Sequence, residues 1–362
     1  MKMTLRVLCL NLLLMLALIA ISRRDYSGWI VYQYDAGANS QIFLMTGDGR
    51  LKRQLTRQPL CGSSPSWSSN GRWIAFVDQC AGSSPRVMRM QANGGNVQVI
   101  SEVSRDFRTL KWSPDGRYIA LSNAVYSDIL VVDVERQTVT TFKLEHNRPF
   151  WSPDSQWLYA RANDDEFTLY RFNVHTREEE LVLSANNFFN DPQWSPDGAN
   201  MLAGLSIEEG RGLFLLSADG STRTPIPIDL PPDAPSDNLR SASWSPDGAR
   251  IAFLSGHPMN YHIFIADADG GNLQQITENG RDRLNLQWSS NGEWLLYATD
   301  NITDPDFVRI RVDGSVTEEL THSGYNFSPD YAPITGKNWQ PIWLIIAAAG
   351  LMLLSLMGHL RR

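Results

Sequence analysis

The sequence predicts an all-β fold, a seven-bladed β-propeller flanked by an apolar segment at each end, and three observations lead there. A five-residue motif recurs six times: WSPDG at 112–116, 194–198 and 244–248, WSPDS at 151–155, and WSSNG at 67–71 and 288–292. The motif tryptophans Trp67, Trp112, Trp151, Trp194, Trp244 and Trp288 are spaced by 45, 39, 43, 50 and 44 residues. A period of about 40–50 residues marks stacked supersecondary units, which in an all-β chain are propeller blades. Between the tails no segment sustains a helical period, whereas short runs rich in branched and aromatic residues follow every motif.

Residues 1–24 form an N-terminal membrane anchor or signal peptide. Residues 7–21 read VLCLNLLLMLALIAI, with Lys2 and Arg6 before and Arg23-Arg24 after. This is shorter than the roughly 20 residues of a spanning helix. Ala20 and Ser22 offer a small-x-small cleavage site, while counting from Met3 with Arg6 snorkelling gives an anchor. Residues 25–337 form the propeller. Residues 338–362 form a C-terminal transmembrane helix with a basic tail: WQPIWLIIAAAGLMLLSLMGHL at 339–360 has the right length, interfacial Trp339 and Trp343, and Arg361-Arg362 directly after it. Basic residues favour the cytoplasmic side, which places the C-terminus inside and the propeller on the extracytoplasmic side of the cell membrane.

Within each blade, strand A enters the motif and strands B, C and D follow. In the motif, Pro and Asp suit the centre of a type I turn, Gly closes the hairpin in the left-handed region, and the Asp carboxylate accepts nearby backbone N–H groups. Asp115, Asp154, Asp197 and Asp247 are therefore read as structural. Ser155 replaces Gly in one copy, at a cost of about 1 kcal/mol if it is left-handed. The tryptophans are expected to pack between neighbouring blades. Runs such as RYIALS and ARIAFL supply strand B, DILVVDV and HIFIADA strand C, and TVTTFKL and LQQIT strand D.

The stretch from Trp244 to Thr277, WSPDGARIAFLSGHPMNYHIFIADADGGNLQQIT, resembles the TolB-like (PD40, WD40-like) β-propeller repeat family. The likeness covers about 28–330 and implies the fold; it specifies function far less, because one fold hosts many activities. By resemblance the family implies six blades. The chain itself counts to seven. WIVYQY at 29–34, QIFLMT at 41–46 and LKRQLT at 51–56 make a B-C-D set without strand A, and GYNFSPD at 324–330 is an A without the rest, with Phe327 in the place of the tryptophan. Joined, the orphans close a seventh blade from both ends of the chain and remove exposed edges. Both tails then leave from the end of that blade that carries the motif turns.

Cys61 and Cys80 flank the hairpin turn at Asn70-Gly71 by nine residues on each side. They are expected to face each other at the open end of the hairpin and to form a disulfide worth about 2–4 kcal/mol, in a compartment where disulfides persist.

No nucleophile elbow, phosphate loop, zinc helix or dinucleotide fingerprint occurs, and the six histidines lack ligand spacing, so neither a catalytic residue, a metal nor a cofactor is expected. Setting aside the six basic residues of the tails leaves 26 basic against 39 acidic, which argues against nucleic acid. Arg108, Arg148, Arg240 and Arg283 lie 4, 3, 4 and 5 residues before their motif tryptophan. In a propeller they stand near the start of innermost strands, where they suit a carboxylate or acidic peptide, or pair with carboxylates such as Asp191 and Asp282. The resulting expectation is a membrane-anchored, non-catalytic propeller that binds a protein or peptide partner. The alternative is a solute- or glycan-binding or hydrolytic propeller acting at the channel mouth.

Overall fold

A computed structural model describes residues 28–332 except 36–38, 81–82, 104–106, 108, 123–127, 144–145, 163–167, 189–191, 209, 232–238, 258–259, 279–282, 300–304 and 323–325. Both apolar tails lie outside the described residues; among the described residues no helix is long and apolar enough to cross a membrane.

Seven antiparallel sheets make up the fold, and each is one blade. Blade 1 joins Asn326–Tyr331 to Trp29–Asp35, Ser40–Thr46 and Lys52–Gln54; blade 2 runs Gly62–Trp67, Trp73–Asp78, Arg86–Gln91 and Gln98–Glu102. Blade 3 runs Thr109–Trp112, Tyr118–Ser122, Asp128–Asp133 and Thr138–Lys143, and blade 4 runs His146–Trp151, Trp157–Ala162, Thr168–Asn173 and Glu179–Ser184. In blade 5 the first strand is divided into Asn187–Phe188 and Gln193–Trp194, before Met201–Ile207, Gly210–Leu216 and Arg223–Ile226. Blade 6 runs Arg240–Trp244, Arg250–His257, Asn260–Asp267 and Gln274–Gln275; blade 7 runs Arg283–Trp288, Trp294–Thr299, Phe307–Arg311 and Thr317–Glu319.

The chain divides into two compact units, one with blades 1, 5, 6 and 7 and the other with blades 2, 3 and 4. Inside each unit the core lies between successive sheets. Trp112 packs with Ala75, Val77, Val87 and Ile100 of blade 2, and its Nε1–H donates to the Ser66 carbonyl at 3.2 Å. Trp151 repeats this against blade 3, donating to the Lys111 carbonyl at 3.1 Å, and Trp288 against blade 6, donating to the Ser243 carbonyl at 3.1 Å. A buried indole N–H needs an acceptor, and the backbone one residue before the preceding tryptophan provides it.

The closing blade forms as the orphan strands require, with Gln33 opposite Phe327 and Ile30 opposite Tyr331. The register corrects one expectation. Trp67, Trp151, Trp244 and Trp288 pair with Ile74, Leu158, Ile251 and Leu295, each the second residue of its strand B or the equivalent row. In blade 1 that row is Ile30, and its partner is Tyr331, not Phe327. Tyr331 follows Trp288 by 43 residues, within the range of the other spacings. The local backbone also places Tyr331 with the tryptophans. Each of these first strands carries a β-bulge, with two residues opposing one, and in blades 1, 2, 4 and 6 the residue three before the aromatic is left-handed: Ser328 (φ 50°), Ser64 (φ 50°), Arg148 (φ 54°) and Ser241 (φ 50°).

Candidate functional site

Every blade has two ends, one with the motif turn and one open, where strand A begins and strands B and C are joined. The open ends carry the residues that vary between blades. In blade 2 this end is closed covalently by the Cys61–Cys80 disulfide, with Cα atoms 5.0 Å apart. Beside it, the buried Asp78 carboxylate accepts the Cys61 N–H at 2.8 Å and an Arg86 Nη2–H at 2.5 Å. Gln79 N–H donates to the Cys61 carbonyl at 2.9 Å, so the open end of this hairpin is held by bonds on both sides of the bridge.

In blade 6 the ladder between the second and third strands is the longest among the described residues, with pairing that continues to His257 opposite Asn260 at the open end. Gly256 permits it: φ is 152°, and a Cβ there would meet the Asn260 carbonyl oxygen at 2.2 Å. Tyr261, opposite Gly256, is buried and lies under Arg240, whose guanidinium carbon is 5.0 Å from the ring centroid. The face of a tyrosine orients the cation while its outer edge stays in water. His262 Nδ1 is 2.8 Å from the Thr277 carbonyl and 3.1 Å from Gln275 Nε2. Exposed Arg240, His257 and Asn260 thus gather cationic and hydrogen-bonding groups at this end of blade 6. Blade 5, packed against it through Leu202, Leu213, Phe253 and Phe264, adds exposed Glu208 and Arg211 at its own hairpin.

The four arginines of the sequence pattern are not in one register. Arg148 is the left-handed bulge residue of blade 4, Arg240 pairs with Leu254 three rows above Trp244, and Arg283 pairs with Thr299 a further row up. Arg148 and Arg240 are exposed. Arg108 lies outside the described residues, as do Asp191 and Asp282. Within the unit of blades 1, 5, 6 and 7 the fold brings the backbones of Arg240 and Arg283 to the starts of adjacent first strands.

The TolB β-propeller domain family (PD40) matches residues 28–170 and 136–337, which together take in every blade. The chain belongs to this family. A relative of Agrobacterium fabrum, named as an uncharacterised protein, is 28% identical over 181 residues, 49% of this chain and 58% of the relative. The match therefore spans less than two thirds of that relative's length. Among solved structures, TolB from Acinetobacter baumannii aligns with a TM-score of 0.55 at 18% identity, over 85% of this chain and 67% of its own. The periplasmic gluconolactonase of Pseudomonas aeruginosa aligns with a TM-score of 0.57 at 17% identity, over 85% and 99%. These likenesses show a shared fold.

In this TolB-family propeller the recurrent aspartates are turn residues. Ser113 Oγ–H donates to Asp115 Oδ1 at 2.5 Å, Arg117 N–H donates to the same oxygen at 3.0 Å, and Tyr118 N–H donates to Ser113 Oγ at 2.9 Å. The set recurs at Ser152-Asp154, Ser195-Asp197 and Ser245-Asp247, and with asparagine at Ser68-Asn70 and Ser289-Asn291. The motif serine is thus a hub that the repeat pattern alone did not single out, although it stands in all six copies. Serine O–H and backbone N–H donors hold Asp197 and Asp247 below the ordinary carboxylate range. Among the described residues no three His, Cys, Asp or Glu side chains cluster as metal ligands would.

Proposed function

We propose that this chain is a membrane-tethered propeller, displayed on the extracytoplasmic side with its C-terminus in the cytoplasm, that binds a protein or peptide partner without catalysing a reaction. The observation that carries the reading is the Ile30–Tyr331 pairing. It puts Trp29 and Tyr331 together at the motif-turn end of one blade, so that anchors at 7–21 and 339–360 would both join the propeller there, which supports a tether at that end. The Cys61–Cys80 bridge agrees with an oxidising compartment. A rigid blade that presents variable hairpins is suited to recognition, and the cationic edge of Arg240 suits a carboxylate-bearing partner.

Crosslinking in intact cells and identification of captured proteins tests this reading. The double variant Arg240→Ala/Arg283→Ala should reduce capture with folding intact, and Arg108→Ala/Arg148→Ala tests the other unit in the same way. Capture unchanged by both pairs overturns the arginine assignment. The second reading, an enzyme acting on a sugar-derived substrate, is favoured by the gluconolactonase among the fold neighbours. Turnover of a lactone by the purified propeller, abolished by a carboxylate substitution at an open end, would establish it instead.

A further inference from the structure

Beyond partner binding, and resting on the tether of the preceding reading, we propose that the motif-turn end of blade 1 is a docking patch for anionic phospholipid headgroups. The patch is built from the turn between the third and fourth strands. Arg50, Leu51, Lys52 and Arg53 are consecutive and all exposed. Leu51, at 61%, is the most exposed large apolar side chain among the described residues, and Trp29 is 39% exposed. Trp29 pairs with Thr46, and Thr46 N–H donates to the Leu51 carbonyl at 3.0 Å, so the three stand in one row across the sheet. Side chains alternate along a strand, so Arg53, opposite Leu44, shares their face.

The charge of this turn runs against that of the domain. Asp48 is the one acid in it; it accepts the Thr46 hydroxyl and the Arg50 N–H and lies 3.6 Å from Arg50 Nε. It offsets Arg50; Arg53 on the Trp29–Leu51 face, and Lys52 on the opposite face of the same edge strand, remain as net positive charge on a chain whose formal charge is −7. A tryptophan and a leucine with Arg53 on their face, and with Arg50 and Lys52 at the same strand end, match a headgroup surface: the rings and alkyl stems enter the interface while the cations meet phosphate.

Chain geometry brings this patch to the bilayer. Gly28 and Ala332 are the described residues next to the tails, and residues 22–28 and 332–338 link them to the apolar segments. Seven residues span at most about 25 Å when fully extended. Two such tethers, leaving from adjacent strands, hold this end of blade 1 against the membrane surface.

The test uses the full chain in a Cys9→Ser background, where the Cys61–Cys80 bridge leaves no other thiol to label. A Leu51→Cys variant carrying an environment-sensitive fluorophore is reconstituted in phosphatidylcholine vesicles alone, or with phosphatidylglycerol at about 3:1. The proposal expects emission to rise about twofold with the anionic lipid, and to fall back with added salt or with Arg50→Glu/Lys52→Glu/Arg53→Glu. A label at Glu208→Cys, on the open end of blade 5, should stay in water throughout. Equal emission in both vesicle types, or no loss with the triple charge reversal, overturns the patch. Release of the chain from vesicles by carbonate overturns the tether on which it rests, so the two failures are separable. Circular dichroism of the triple variant confirms that loss of emission is not loss of fold.

Discussion

Ser155 stands where the other five motif copies have glycine, and its φ of 61° is left-handed like theirs. The sequence shows the misfit but not its compensation: the buried Ser155 hydroxyl accepts the Asp115 N–H of the neighbouring turn at 3.0 Å. Strain of about 1 kcal/mol is set against a buried hydrogen bond worth about 0.5–1.5 kcal/mol. Ser155→Gly should therefore be close to neutral in chemical denaturation. Ser155→Ala keeps the strain and loses the acceptor, and should cost about 1–2 kcal/mol. If alanine proves no worse than glycine, the hydrogen bond is not what retains serine.

The turn aspartates yield a pH prediction with a definite sign. Asp197 and Asp247 titrate below their ordinary range in the folded state. The stability they contribute is therefore present above about pH 4 and is lost as pH falls through the lowered folded values. Asn70 and Asn291 accept the equivalent hydroxyls of Ser68 and Ser289, at 2.9 and 2.6 Å, without titrating. Asp197→Asn/Asp247→Asn should thus fold normally at neutral pH and lose less stability than the parent between pH 5 and 3. Parallel acid-unfolding curves for the two proteins would contradict this. The turn role of Asp and Gly was legible in the motif. The serine hub was not, because its hydroxyl acts on an N–H five residues away.

At the scale of strands and hairpins, the blade 2 hairpin was readable because an Asn-Gly turn fixes which residues face each other, and that placed Cys61 opposite Cys80. Cys61→Ser/Cys80→Ser should lower unfolding free energy by about 2–4 kcal/mol, measured against the parent with and without reductant; reductant should have no effect on the variant. The last strand was harder to read. Tyrosine replaces tryptophan and no Asp-Gly follows Tyr331, so the more familiar-looking Phe327-Ser-Pro-Asp drew the alignment four residues early. In blade 6 the decisive residue is Gly256, whose need for a bare Cα depends on the opposing Asn260 carbonyl and so cannot be read from the one-dimensional pattern. Gly256→Ala should distort the hairpin under Arg240 and weaken partner capture more than it lowers the melting temperature.

For the whole molecule, the decisive feature is that six sheets are contiguous in sequence and one is made from the two ends of the chain. The repeat spacing carried that count, because complementary orphan strands can be tallied without knowing any contact. The open-end surface, by contrast, depends on loops whose composition sets no period. The closure has its own consequence. Asn326–Tyr331 is held to Trp29–Asp35 by pairing, and blade 7 fastens to blade 1 through Gln287 Nε2–H donating to the Pro329 carbonyl at 3.1 Å and Arg309 Nη1–H donating to the Gly47 carbonyl at 3.0 Å. Removing residues 326–331 would uncover the buried edge of Trp29–Asp35 and leave unpaired backbone groups that recruit other chains. A circular permutant does the opposite. A short linker from 332 to 28 covers the small gap left by the Ile30–Tyr331 pairing, and new ends open in the exposed turn between Asn93 and Gly94. The permutant should be soluble and unfold within about 2 kcal/mol of the parent domain, whereas the truncated form should aggregate, as measured by denaturant titration and light scattering. A stable, monomeric truncation would show that the final strand is an addition to blade 1 rather than the piece that completes it.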